Sequence, residues 1–244
     1  MGKYTPTRTP KLPLFNKVFS SIPFELLSYA YYISQPRVII LEDIKSAYIP
    51  IPKIAHTSIK RTIAKTPKTD KVRIHQVPFN SEPLKRFNTN TYYTFSFVRN
   101  PLTRLISLYR RNVYEENPKH LFYRYGSTFY HKMSFTEFVE AVCKIPDWRS
   151  DKHFRSQHWF LMLNGKFICN YIGRFETLET DWNKLSEKTG LGTLDKFNSS
   201  STTAPIEEYF NHKTLNKVLV RYKKDIELLG YKNEIELFKK KLSP

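Results

Sequence analysis

Thr94-Phe95-Ser96-Phe97-Val98-Arg99-Asn100-Pro101-Leu102-Thr103-Arg104-Leu105-Ile106-Ser107 runs from an apolar stretch through a polar turn into a second apolar pattern. Aromatic and β-branched residues fill Thr91 to Val98, as a strand requires. Asn100 suits an N-cap, and Pro101 suits a first helical position. Leu102, Leu105, Ile106 and Tyr109 then recur at helical spacing and give the helix one apolar face. An earlier stretch, Tyr48-Ile49-Pro50-Ile51-Pro52-Lys53-Ile54-Ala55-His56-Thr57-Ser58-Ile59-Lys60-Arg61, repeats the plan of strand, basic turn and helix. A strand-to-helix turn presents free backbone N–H groups and the positive end of a helix dipole. Two such turns can therefore hold two anionic groups of one nucleotide.

The flanking sequence extends this alternation. Arg37 to Leu41 and Ser46 to Ile51 read as strands, Ser58 to Lys65 as a helix stopped before Pro67. Ser134-Phe135-Thr136-Glu137 is a capping box. Phe167 to Phe175 reads as a strand, followed by a helix with Leu178, Trp182 and Leu185 inward that ends near Gly190. A long helix is expected over Ile206 to Leu229, with Leu215, Val218, Leu219, Tyr222, Ile226 and Leu229 inward, and a last, basic one over Glu234 to Lys241. Alternating strands and helices predict an α/β fold with a mostly parallel central sheet and a helix-rich C-terminal part. Residues 1–35 read as a flexible leader, rich in Pro and basic residues, followed by an N-terminal helix around Pro23 to Tyr32; residues 36–244 read as one domain.

Composition narrows the partners. The 244 residues carry 40 Lys and Arg against 22 Asp and Glu, a formal net charge of +18. That surplus attracts multiply charged nucleotides and polyanions without saying anything of the fold. Much of it is ordinary basic surface, because lysines are scattered along the whole chain. Cys143 and Cys169 are the only cysteines, too few for a disulfide framework or a zinc site by themselves. Leu14 to Ile33 is interrupted by Asn16, Lys17, Pro23 and Glu25, which excludes a membrane span and a secretory signal there. These features together lean towards a cytoplasmic protein.

The first turn has no GxxxxGK[ST] pattern, and no glycine lies between Lys45 and Lys65. An ordinary ATPase or GTPase, or a nucleotide kinase of related fold, is disfavoured. The pair of turns instead resembles the two nucleotide motifs of sulfotransferases that use 3'-phosphoadenosine-5'-phosphosulfate (PAPS), in particular the carbohydrate type known as sulfotransferase family 2. The resemblance covers about Tyr48 to Tyr231 and continues through Arg124-Tyr125-Gly126, Phe135 to Val139, Asp151 to Gln157 and Ile172 to Glu179. It implies a P-loop-like, three-layer α/β/α fold, PAPS as co-substrate with PAP as product, and no metal. It implies that Lys53 contacts the bridging oxygen between phosphate and sulfate. Thr57, Ser58, Lys60 and Arg61 match the positions that hold the 5' phosphate. His56 stands in the same loop, where relatives commonly carry a small residue or Cys. Arg99 and Ser107 match the residues that hold the 3' phosphate, whereas Arg104 reads as a solvated or ion-paired helix residue. The family's Golgi members carry an anchor and several cysteines, so the alternative to a cytoplasmic enzyme is a lumenal part of a longer Golgi protein.

Sulfuryl transfer to a hydroxyl needs in-line geometry, a base for the acceptor's proton and cationic donors for the departing phosphate. His75 is the leading candidate base, since it lies between the two nucleotide motifs, roughly where related polysaccharide sulfotransferases place a histidine. His153, in His153-Phe154-Arg155-Ser156-Gln157, is the second. Glu176 reads as a strand-to-helix junction residue. The acceptor is expected to be a carbohydrate or small hydroxylated metabolite, with an acidic one suited by the Lys and Arg of residues 66–90 and 112–133; oligomeric state is left open. The reading from another class is a basic nucleic-acid-binding protein, which the charge and the 16 Tyr and 18 Phe would fit. No nucleic-acid motif supports it, and the basic residues are not gathered on one helix.

Overall fold

The computed structural model describes residues 36–65, 74–116, 121, 124–194 and 205–242. The leader and N-terminal helix expected over 1–35, and part of both expected acceptor loops, lie outside the described residues. Among the described residues, no helix is long and apolar enough to cross a membrane.

Strands β1 (Arg37–Leu41), β2 (Ser46–Tyr48), β3 (Ser81–Pro83), β4 (Tyr93–Val98) and β7 (Tyr171–Arg174) form a five-stranded sheet in the order β3-β1-β2-β4-β7. β2 and β7 flank β4 in parallel, with Tyr48 beside Phe95 and Arg174 beside Val98. β1 pairs antiparallel with β2 and β3 at the far edge. The parallel part is the part that matters for the site. Strands β2 and β4 end side by side, and each leads into a helix from the same end of the sheet. β4 is buried from Thr94 to Val98, and its ring Phe97 stacks on Trp182 at 5.9 Å.

Helix α1 (His56–Ile63) follows β2, and α2 (Pro101–Tyr109) follows β4. The Asn100 side chain accepts from the N–H of Leu102, as the sequence predicts for an N-cap. Leu102, Leu105, Ile106 and Tyr109 are buried. α2 continues as a π-helical segment over Arg110–Glu115. Helix α3 (Phe135–Lys144) begins with the complete Ser134–Glu137 capping box. The short α4 (His158–Leu161) leads into a hairpin of β5 (Met162–Leu163) and β6 (Lys166–Phe167). Helix α5 (Leu178–Thr189) buries Trp182 and Leu185 and ends at Gly190, whose φ is +74°.

Two expectations need correction. The strand over Phe167 to Phe175 is two strands, β6 and β7, separated at Ile168–Asn170. There Thr94 Oγ1 donates to Ile168 O (2.5 Å), and the Thr94 N–H donates to Asn170 Oδ1 (2.8 Å), so side chains replace ladder bonds. The long helix over Ile206 to Leu229 is a 3-10 turn (Ile206–Glu208), then α6 (His212–Arg221) and α7 (Lys223–Leu228). Asn211 and Thr214 form a capping box that starts α6 afresh, and Tyr222 leaves helical geometry at φ −109°, ψ 21°. The expected inward face survives the break: Leu215, Val218, Tyr222, Ile226 and Leu229 are buried, and Leu219 is half-buried against them. Helix α8 (Lys232–Leu242) is the basic C-terminal helix.

Candidate active site

The turn after β2 is built without glycine, yet Lys53 and Ala55 take positive φ angles of +70° and +62°. Ala55 is the N-cap of α1 and offers no side-chain acceptor to the first turn. The opening N–H groups of α1 thus face the turn with no side-chain cap, as an anion site requires. Thr57 is half-buried and Ser58 buried on that first turn. Lys60 and Arg61 follow half-buried one turn later, with Lys60 Nζ 5.4 Å from the centre of the Phe79 ring.

Arg99 ends β4 and reaches across to this turn. Its Nη1 donates to the carbonyl of Lys53 (3.3 Å), and its Nε donates to Thr103 Oγ1 (3.0 Å). The guanidinium lies 4.1 Å from the centre of the Phe175 ring. Thr103 and Ser107 are four residues apart on α2 and share a face. Arg99 and Ser107 are therefore disposed along one side of that helix. The two motifs found in sequence thus meet through a direct contact.

The site is cationic and partly dehydrated. Burial, reinforced by Arg111 and Arg99, lowers the Lys53 amine to about 8, against a weaker opposing pull from Glu116. Lys53 Nζ donates to Asn112 Oδ1 (3.2 Å) on the π-helical segment. Burial lowers Arg99 to about 10, with Glu176 opposing. Lys60 is lowered by burial and by Lys152. His56, the first residue of α1, is held well below the ordinary imidazole range by burial, then by Lys60, His75, His153 and Lys53. His75 is exposed, its ring 5.4 Å from that of His56. Its pKa is lowered by desolvation first, then by Lys60, Lys152 and His153. Like-charged groups gathered in this way lower one another's affinity for protons and raise the site's affinity for an anion.

Arg104 differs from expectation. It is 2% exposed, and its guanidinium is held by backbone carbonyls. Its Nε donates to Pro52 O (3.1 Å), Nη1 to Arg155 O (2.8 Å) and Nη2 to Lys152 O (3.2 Å). One buried guanidinium, with its fixed fork of donors, ties the β2 turn to the loop over 152–155. Nothing in the sequence separates this arginine from a solvated one, because its three partners are backbone carbonyls far away along the chain.

That loop brings in His153. Asp151 Oδ1 accepts from the His153 N–H (2.9 Å) and lies 2.5 Å from His153 Nδ1. Gln157, fully buried, braces the end of β4: its Oε1 accepts from the Arg99 N–H (2.9 Å) and its Nε2 donates to the Arg99 carbonyl (2.7 Å). Glu176 Oε1 accepts from the Asn100 N–H (2.7 Å), and its Oε2 accepts from Tyr231 (3.1 Å). Glu176 thus holds the second turn in place. The C-terminal helices clamp the loop from outside. Tyr222 donates to Phe154 O (2.6 Å), Asp225 accepts from the N–H groups of Gln157 (2.7 Å) and His158 (2.9 Å), and Arg221 pairs with Asp147 at 2.8 Å. His158 is spoken for by Asp225, 2.7 Å away. Asp151, Gln157, Asn112 and Thr103 are site residues that the sequence reading missed. The spacing Asp-x-His was the available signal for Asp151, since an Asp commonly accepts from the N–H two residues on.

Comparison with known proteins identifies a family. A sulfotransferase family model matches residues 36–232. Carbohydrate sulfotransferase 11 of Mus musculus is 24% identical over 192 residues, covering 66% of this chain and 54% of that protein. Carbohydrate sulfotransferase 14 of Danio rerio is 28% identical over 172 residues, covering 60% of this chain and 46% of that protein. An uncharacterized protein of Archaeoglobus fulgidus is 33% identical over 101 residues, covering 41% of this chain and 69% of that protein. The chain spans about half the length of the two carbohydrate sulfotransferases. No solved structure matches it.

Proposed function

The chain belongs to the sulfotransferase family, and from that premise we propose that it moves the sulfuryl group of PAPS to a hydroxyl of a carbohydrate. The carrying observation is the contact of Arg99 with the Lys53 carbonyl, which joins two cationic strand-to-helix turns into one nucleotide-sized site. In this reading the α1 turn, with His56, Thr57, Ser58, Lys60 and Arg61, takes the 5' phosphate. Arg99 and Ser107 take the 3' phosphate. The whole is a P-loop-like, three-layer arrangement whose turn relies on left-handed Lys53 and Ala55 in place of glycines.

In the transfer, the acceptor oxygen forms a bond to sulfur as the bond from sulfur to the bridging oxygen breaks. The electron pair stays on the 5' phosphate of the departing PAP, and the acceptor's proton goes to a base. Lys53, donating to the bridging oxygen, stabilises charge that exists only as that bond breaks. The histidines His56, His75 and His153 gather beside the turn, and one of them takes the proton. The carbohydrate acceptor is inferred from the names of the relatives, and the cationic surroundings of His75 and Lys152 suit one that carries negative charge.

The test is a calorimetric titration with PAP and with AMP, without metal. PAP should bind at least about tenfold more tightly, because Arg99 finds its anion only in the 3' phosphate. Equal affinities would reject the reading.

A further inference from the structure

We propose that His153 is the base of the transfer and that Asp151 is the residue that positions it, a step that rests on the sulfotransferase reading above. Three histidines stand beside the phosphate turn, and their surroundings differ in a way that bears on proton transfer. His75 is exposed, and its ring makes no hydrogen bond to a carboxylate among the described residues. His56 sits at the first position of α1 among Lys60, Lys53 and the other two rings. Among the described residues, His153 alone of the three has a buried acid at hydrogen-bond distance from one ring nitrogen.

Asp151 is 6% exposed and is held from three sides. Its Oδ1 accepts from the backbone N–H of His153, so ring and carboxylate belong to one tight turn. Its Oδ2 lies 3.6 Å from Arg124 Nη1, and Arg124 Nη2 donates in turn to Arg149 O (2.9 Å). The ring nitrogen Nδ1 lies 2.5 Å from Oδ1. A carboxylate can only accept, so Nδ1 must carry the proton there and Nε2 is left with a lone pair. The turn is anchored to the phosphate loop, because Arg104 bonds the carbonyls of Lys152, Arg155 and Pro52 together. The result is an imidazole of fixed tautomer on a loop tied through Arg104 to the β2 turn, which in the proposed reading takes the phosphosulfate. In the step proposed, Nε2 receives the acceptor's proton as the oxygen–sulfur bond forms. Asp151 then stabilises the imidazolium without taking the proton itself.

Long-range ¹H–¹⁵N correlation on uniformly labelled protein reads which ring nitrogen of His153 is protonated. Wild type should show Nδ1–H with Nε2 bare, and Asp151→Asn should lose that preference, since an amide both donates and accepts. PAP with inorganic sulfate should move the His153 Nε2 signal. With PAPS and the best acceptor from a panel of unsulfated carbohydrates, His153→Ala should lower kcat about 100-fold or more. Asp151→Asn should lower kcat about tenfold with little change in acceptor KM. Both variants should bind PAP within about threefold of wild type, which separates a lost base from a lost fold. A wild-type Nε2–H tautomer, an Nε2 signal indifferent to PAP and sulfate, or His153→Ala turnover within about threefold of wild type would each overturn the base. A normal kcat in Asp151→Asn would overturn the positioning role. Wild type that binds PAP no better than AMP overturns the sulfotransferase reading itself, and the base with it.

Discussion

Lys53 is an amine whose charge is costly before any ligand arrives. Burial and three arginines, Arg111, Arg99 and Arg104, lower it to about 8, below its ordinary value near 10.5. Between those values the unfolded chain binds more protons at this residue than the folded one does. Its contribution to stability therefore rises with pH through that window, as the buried charge is relieved. A phosphate beside it reverses the balance and draws the proton back. PAP binding at pH 8.5 should accordingly take up protons, read as a dependence of calorimetric heat on the ionisation enthalpy of the buffer. The affinity should fall as pH rises above about 8, and Lys53→Ala should abolish the uptake. The same substitution should lower kcat by about 10²–10³-fold while weakening PAP far less, because the contact is worth most at the transition state. Arg99→Ala should weaken PAP and PAPS alike, since its phosphate does not react; unchanged Kd values in that variant would displace the 3' phosphate from β4.

Strand β7 shows how closely the elements that carry the site are packed. Gly173 pairs with Phe97 in register, and an ideal Cβ on Gly173 would lie 2.3 Å from Phe97 Cε1. That ring is fully buried between β7 and Trp182 and cannot retreat without moving α5. Gly173→Ala should therefore cost about 1–3 kcal/mol, measured as a lower urea midpoint at unchanged m-value. Because Arg174 and Glu176 follow directly and Glu176 holds the Asn100 N–H, PAP affinity should fall with it. The C-terminal helices act on the site in the same indirect way, through Tyr222, Asp225 and Arg221 on the loop that carries His153 and Gln157. Their break at Tyr222 lets that hydroxyl reach the carbonyl of Phe154, a position an unbroken helix need not offer.

Across the molecule the charge is lopsided, at +18. A nucleotide with several negative charges approaches such a surface faster than a neutral one, and salt screens the attraction over about 8–10 Å at ordinary ionic strength. The association rate of PAP, followed by stopped flow, should drop several-fold between about 20 and 200 mM salt, with a smaller change in dissociation rate. Short oligonucleotides should show salt-dependent binding that PAP displaces only where the two share the cationic turns. Oligonucleotide binding with no PAP protection against heat would favour the nucleic-acid reading instead.

What could be read along the chain was local. The two strand–turn–helix units, the Asn100 cap, the Ser134–Glu137 box and the inward face of α6 and α7 depend on residues within a turn or two of one another, and they stand in the structure as the sequence predicts. The two turns also lie in contact, through Arg99 and the Lys53 carbonyl. The break at Ile168–Asn170 was not legible, because Thr94, which bonds Ile168 and Asn170, comes from another element; at Tyr222 the backbone bonds to Val218 and from Ile226 persist, and the hydroxyl's partner, the Phe154 carbonyl, is again far away along the chain. The support of the site was hidden for the same reason. Arg104 is buried because three carbonyls converge on it, Gln157 because both its amide atoms meet the backbone of Arg99, and the exposed Glu176 reaches the Asn100 N–H because β7 ends beside α2. A hydrogen bond to a distant backbone group leaves no mark of residue type at the accepting position. Local propensity and spacing therefore set the two strand–turn–helix segments, while the convergence of the strand ends set which side chains hold those segments, and His153, in place.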